Sequence, residues 1–214
     1  MLTYHFGDPA APVVLIQPVD DHDLAEIRLE QSAIRELTGA DFRLTAVKVD
    51  HWNRDLSPWP APPVFGKEGF GDGAEAFLQE VLKLCGDPEK TYYIGGYSLA
   101  GLFALWAACR TDRFRGVAAT SPSVWFPGFT DWLKANRMQA ESVYLSLGDR
   151  EAGTRNPVMA AVGDRICETC ELLKGQGVSC TLEWNPGNHF ADAGLRTAKA
   201  FAWVIGRASA GHPA

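Results

Sequence analysis

The stretch YYIGGYSLAGLFALWA, Tyr92–Ala107, changes character within a few residues. Tyr92, Tyr93 and Ile94 are strand formers, Gly95 and Gly96 follow, and after Ser98 small and apolar residues run on in a helix pattern. A buried strand that turns sharply into a buried helix belongs to the interior of an α/β sheet. Outward from this unit the same alternation repeats. APVVLIQPV (11–19) and FRLTAVKVD (42–50) read as strands around a helix whose apolar residues Leu24, Ile27, Ile34 and Leu37 recur at helical spacing. After Ala107 come GVAATSPS (116–123), SVYLSLGD (142–149) and SCTLEWNP (179–186) as strands. Helices are expected over 74–85, 99–110, 131–137, 157–174 and 193–207. This order predicts a mostly parallel central sheet with helices on both faces, a three-layer sandwich in one domain over 1–207 with a tail over 208–214.

One segment breaks the alternation. HWNRDLSPWPAPPVFGKEGFGDG (51–73) carries Pro58, Pro60, Pro62 and Pro63, two tryptophans and four glycines. It leaves the end of a strand, where open α/β sheets keep their ligand crevice, so it is expected to form a wall of a pocket.

The serine needs an explanation that its neighbours supply. Gly96-Tyr97-Ser98-Leu99-Ala100 fits the G-x-S-x-G strand–turn–helix pattern, with alanine in the fifth place. Small residues two before and two after the serine keep so tight a turn free of clashes. A helix cap would explain Ser98 alone but not the glycines before it or the Leu99-Ala100-Gly101 run after it. A nucleophilic serine requires a base, and in this chain order serine precedes acid and acid precedes histidine. Among the five histidines, His189 and His212 follow Ser98; His212 lies in the tail and His189 in NPGNHFAD, between the last strand and the last helix. A carboxylate is expected after SVYLSL, where Asp149 and Glu151 both stand. The amide of Leu99 and one near Val19 or Asp20 are the candidate oxyanion donors.

Composition excludes other classes. The 214 residues are 46% hydrophobic and 21% charged, with a formal net charge of −6 and no stripe of Lys and Arg, which argues against nucleic acid as a partner. No apolar run approaches the roughly 20 residues that span a bilayer. MLTYHFGDPAAP does not read as a signal peptide. Cys85, Cys109, Cys167, Cys170 and Cys180 are odd in number and irregularly spaced, which points to reduced thiols and a cytoplasmic chain rather than a membrane or disulfide-bonded one. A homodimer stays open.

From Gly96 to Leu105, and again at Ser121-Pro122-Ser123 with Trp125, the sequence resembles the esterase family of α/β-hydrolases that includes esterase D, S-formylglutathione hydrolases, siderophore esterases and feruloyl esterases. LSLGDRE and NPGNHF resemble that family's acid and histidine segments. The resemblance spans 90–205 and departs from the family in Ala100, in the short amino-terminal part and in the lack of a separate cap domain. It implies the α/β-hydrolase fold and a serine hydrolase that cleaves a small carboxylic ester or thioester through an acyl-enzyme, with no cofactor. It also implies Glu151 as the acid, since related hydrolases more often use the second acidic position of this turn. Trp52, Trp59, Trp125 and Phe126 flank the strand ends and are the candidate pocket aromatics. An acyltransferase with the same residues and a catalytically silent binding domain are the alternatives.

Other signals lead elsewhere. Asp20-Asp21-His22-Asp23 holds metal-ligand residue types, yet Asp is a favoured helix cap and no converging set is evident, so no metal is expected. Cys167 and Cys170 have C-x-x-C spacing in mid-helix without a second ligand pair and are expected to be buried thiols. GFGDG lacks the spacing and the preceding strand of a nucleotide loop.

Overall fold

The computed structural model describes the backbone of residues 1–210 and the side chains of 1–207. The elements run β1 (Thr3–Gly7), β2 (Val13–Val19), α1 (Asp21–Thr38), β3 (Phe42–Lys48), α2 (Trp52–Asp55) and α3 (Ala74–Leu82). Then follow β4 (Thr91–Tyr97), α4 (Leu99–Arg110), β5 (Phe114–Thr120), α5 (Phe129–Ala135) and β6 (Ser142–Gly148). The chain continues through α6 (Pro157–Ala160), α7 (Val162–Gly175), β7 (Ser179–Asn185) and α8 (Ala193–Ala210). The seven strands form one sheet in the order β1-β3-β2-β4-β5-β6-β7. β1 is antiparallel to β3 and the other neighbouring pairs are parallel.

Successive residues of a strand face opposite sides of the sheet, and both sides are covered. Ile16, Ile94, Val117 and Val143 pack with α3, α4, α5 and α7 on one side. Leu15, Tyr93, Ala118 and Tyr144 pack with α1 and α8 on the other, where Phe201 and Val204 of α8 are fully buried. Burial on both faces explains why the central strands are continuous apolar runs rather than alternating ones. It stabilises the fold by about 1.5–3 kcal/mol for each large apolar side chain removed from water. α4 is buried nearly all round, from Leu99 to Ala108, consistent with its run of alanine and leucine.

The structure departs from the sequence reading in four places. β1 precedes the first strand read from the sequence; it is short and half-exposed, and it gains its place from backbone pairing at the sheet edge. The helix expected over 157–174 is two, because Ala161 lies between α6 and α7 at ψ −4°. Cys167 is exposed on α7 while Cys170 is buried, so only one of that pair is a core thiol. The tail expected over 208–214 begins within α8, and 211–214, with His212, lie outside the described residues. Among the described residues no helix is long and apolar enough to cross a membrane.

Candidate active site

The carboxyl ends of the parallel strands open on one crevice, and the candidate residues arrive there one loop at a time. β4 ends at Tyr97, and Ser98 takes φ 56° and ψ −119° before α4 starts at Leu99. A non-glycine residue with positive φ stores strain of roughly 1–3 kcal/mol, which the flanking strand and helix must hold in place. A Cβ on Gly96 would lie 2.7 Å from the Cβ of Ala100, so one of these two places must lack a side chain. A Cβ on Gly101 would lie 3.0 Å from the Gly96 carbonyl and 3.1 Å from Pro122. Alanine in the fifth place of the motif is therefore tolerated because Gly96 leaves room for it. The Ser98 side chain makes no cap bond to α4, which leaves the first-turn amides, Leu99's among them, free of intrahelical partners.

The Ser98 hydroxyl lies 3.1 Å from Nε2 of His189, and Nδ1 of His189 lies 2.7 Å from Oε2 of Glu151. Glu151 sits on the turn after β6, and its side chain is 4% exposed. Burial works against its charge, but the bonds from His189, from the Ser121 hydroxyl and from the Gly148 amide prevail and hold its carboxyl below the usual range. An ionised carboxylate only accepts, so Nδ1 of His189 is the donor and Nε2 is left to accept the Ser98 hydroxyl proton. The Ser123 hydroxyl, 3.3 Å from Ser98 Oγ, is then free to donate to it. Ser121, at φ 41°, turns away from β5 and donates to Oε1 of Glu151 at 2.7 Å.

Asp149 has a different place. Its carboxylate is 57% exposed and accepts the Gly187 amide at 2.8 Å, while its own amide donates to the Asn185 carbonyl at 2.8 Å. It fastens the β6 turn to the loop that carries His189 and does not reach the imidazole. At the head of α1 the Asp20 carboxylate accepts the Asp23 amide and the Asp20 amide donates back to the Asp23 carboxylate, at 2.8 and 3.3 Å. The Asp20 amide is thus engaged in a capping box, and Val19 is fully buried at the end of β2. Burial and the neighbouring Asp20 push the Asp23 carboxyl up to about 6.

Two cavities meet at Ser98 and His189. The first, about 340 Å³, has an apolar wall of Phe65, Trp125, Met159, Val162 and Phe190. The second, about 180 Å³, is lined by Asp20, His22, Asp23 and Trp52. Of the four candidate aromatics, Trp125 lines the first cavity and Trp52 the second. Trp59 and Phe126 do not: Phe126 is buried, Trp59 packs edge-on against it, and the Trp59 indole donates to the Pro127 carbonyl at 2.9 Å. Both rings pack on the core beneath the crevice, where the Trp59 indole also finds its half-buried acceptor. Phe65, from the irregular 51–73 segment, and Phe190, beside His189, are site residues that the sequence reading passed over. The place of Phe190 directly after the histidine was the available signal. Ser121 lies in the Ser121-Pro122-Ser123 segment that carries the resemblance, whereas nothing local marked Met159, Val162 or Arg196. Among the described residues no group of three or more His, Cys, Asp or Glu is placed to hold a metal ion.

No family model matches the chain, and no curated protein matches it. Solved structures do. An IroE-like serine hydrolase from Shewanella oneidensis superposes with a TM-score of 0.74 at 15% identity, over 94% of this chain and 74% of that one. The siderophore hydrolase EstA from Aspergillus nidulans does so with a TM-score of 0.67 at 19% identity, over 96% of this chain and 86% of that one. An enterobactin esterase from Shigella flexneri gives 0.62 at 18% identity, over 94% of this chain and 55% of that one. With its seven-stranded sheet, its strained serine turn after β4 and these neighbours, the chain has the α/β-hydrolase fold.

Proposed function

We propose that the protein is a serine hydrolase that cleaves a small carboxylic ester or thioester through an acyl-enzyme. The observation that carries this reading is the continuous chain of hydrogen bonds from Ser98 through His189 to Glu151, mounted on a strained turn. His189 takes the Ser98 proton on Nε2 as Oγ bonds to the acyl carbon, and Glu151 stabilises the imidazolium that forms. The Leu99 amide, at the head of α4, donates to the carbonyl oxygen as it becomes an oxyanion. The tetrahedral adduct collapses, the bond to the leaving oxygen or sulfur breaks, and that atom takes the proton from His189. Water then attacks the acyl-Ser98 carbonyl, gives its proton to His189, and the carboxylic acid leaves as Ser98 recovers the proton.

The apolar first cavity suits the acyl part of the substrate, and its volume of about 340 Å³ suits a small acid rather than a polymer. The second cavity supports a second reading, since it borders the same Ser98 and His189 and could take an acceptor alcohol or thiol in place of water. An acyltransferase would then form a new ester. Hydrolysis of p-nitrophenyl acetate and butyrate by wild type, lost in Ser98→Ala with the fold intact, tests the first reading. Product analysis with added alcohols separates the two: esters that outpace free acid mark a transferase.

A further inference from the structure

The side chain of Arg196, on the first turn of α8, is 3% exposed. Burying a guanidinium is costly unless its donors are matched, and here they are matched at the active site. Nη1 lies 3.3 Å from Oε1 of Glu151, 3.1 Å from the Tyr97 hydroxyl and 3.2 Å from the Asn188 carbonyl. Nη2 donates to the Pro186 carbonyl at 2.8 Å. The Tyr97 hydroxyl in turn donates to the carbonyl of His189 at 2.8 Å. One planar fork thus touches the acid, two carbonyls of the loop that presents the base, and the residue before the nucleophile.

We propose that Arg196 is a positioning residue: it fixes Glu151 and the 186–189 loop in register, so that His189 spans Glu151 and Ser98. This rests on the reading of Ser98, His189 and Glu151 as the catalytic group. A loop holds a side chain less precisely than a helix or strand does, and a displacement of about 1 Å costs on the order of 10²-fold in rate. The charge matters as well as the fork. Arg196 faces Oε1 of Glu151 while His189 faces Oε2, so the guanidinium and the imidazole share one carboxylate. The other ionisable groups around the imidazole are Tyr97 of β4 and Asp20, His22 and Asp23 at the head of α1. Without Arg196 the imidazolium that forms during turnover no longer competes with a second cation for the carboxylate.

The test is steady-state hydrolysis of p-nitrophenyl butyrate across pH by wild type, Arg196→Met, Arg196→Lys and Tyr97→Phe, with folding followed by circular dichroism. Arg196→Met is expected to lose about 10²-fold in kcat with KM changed less than about threefold, and the acidic limb of its profile to move to higher pH. Arg196→Lys keeps the limb at its wild-type position and recovers part of kcat. Tyr97→Phe loses less than Arg196→Met. A folded Arg196→Met within twofold of wild type overturns the proposal, as does a loss that tracks unfolding with the limb unmoved. If Arg196→Met does not fold, wild-type kcat in both other variants overturns it. Failure of wild type to hydrolyse any ester, or to be labelled by a fluorophosphonate, is the separate failure of the underlying reading.

Discussion

Asp149 and Glu151 stand two residues apart on one turn, yet Glu151 reaches Nδ1 of His189 at 2.7 Å while Asp149 holds the Gly187 amide at 2.8 Å. Their substitution should separate accordingly. Glu151→Gln is expected to lower kcat on the order of 10³- to 10⁴-fold, because the neutral amide no longer enforces the imidazole tautomer. Asp149→Asn should cost less than about tenfold and about 1 kcal/mol of stability, the scale of one hydrogen bond. Matched kcat measurements on short p-nitrophenyl esters decide it; equal losses would assign the acid wrongly.

The elbow makes a second prediction. A Cβ at position 96 would lie 2.7 Å from that of Ala100, so Gly96→Ala should cost about 1–3 kcal/mol and most of the activity. Ala100→Gly in the same chain removes the facing methyl and should restore part of both. Denaturant unfolding of the two single variants and the double variant gives the coupling; strict additivity would show that the two sites do not crowd each other.

Phe190 is 88% exposed although it borders both cavities, so it adds little to the core and is free to meet what enters them. Phe190→Ala is expected to leave stability unchanged and to raise KM for butyryl and aromatic acyl esters about tenfold, worth roughly 1.4 kcal/mol. Acetyl esters, which fill less of the cavity, should respond less. A KM profile that is flat across acyl size would remove Phe190 from the acyl pocket.

Glu30 predicts a pH effect away from the chemistry. Burial pushes its carboxyl from 4.5 up to about 8, and its one partner is Gln17 at 3.3 Å. The folded state therefore holds a proton that the unfolded chain releases earlier. The contribution of Glu30 to stability is full below pH 4.5 and is lost as pH rises to about 8. Glu30→Gln keeps a neutral partner for Gln17, so it should be near neutral at pH 5 and stabilise at pH 9 by about 1 kcal/mol or more, on the order of 3 °C in Tm. Thermal unfolding at the two pH values reads this directly, and identical curves would contradict it.

What the sequence made legible follows from where the signal is local. Ser98 was readable because the strand, the glycines and the apolar helix that make a tight turn are adjacent in the chain. His189 followed from chain order. The acid stayed open on local grounds because Asp149 and Glu151 share one turn, and their difference arises from Gly187, Ser121 and Arg196, which are remote in sequence. Phe126 and Trp59 read like Trp125 and Trp52, and only packing separates ring from wall. β1 was missed because an edge strand buries too little to need an apolar pattern.

Ser98 is the proposed nucleophile of an ester-cleaving enzyme. Incubation with a fluorophosphonate probe, followed by peptide mass mapping and parallel assay of p-nitrophenyl butyrate, tests it most directly. One stoichiometric adduct on Ser98 and loss of hydrolysis in proportion to labelling are expected, with neither adduct nor hydrolysis in Ser98→Ala. An unlabelled, folded wild-type protein, or a Ser98→Ala variant that hydrolyses the ester at the wild-type rate, would contradict it.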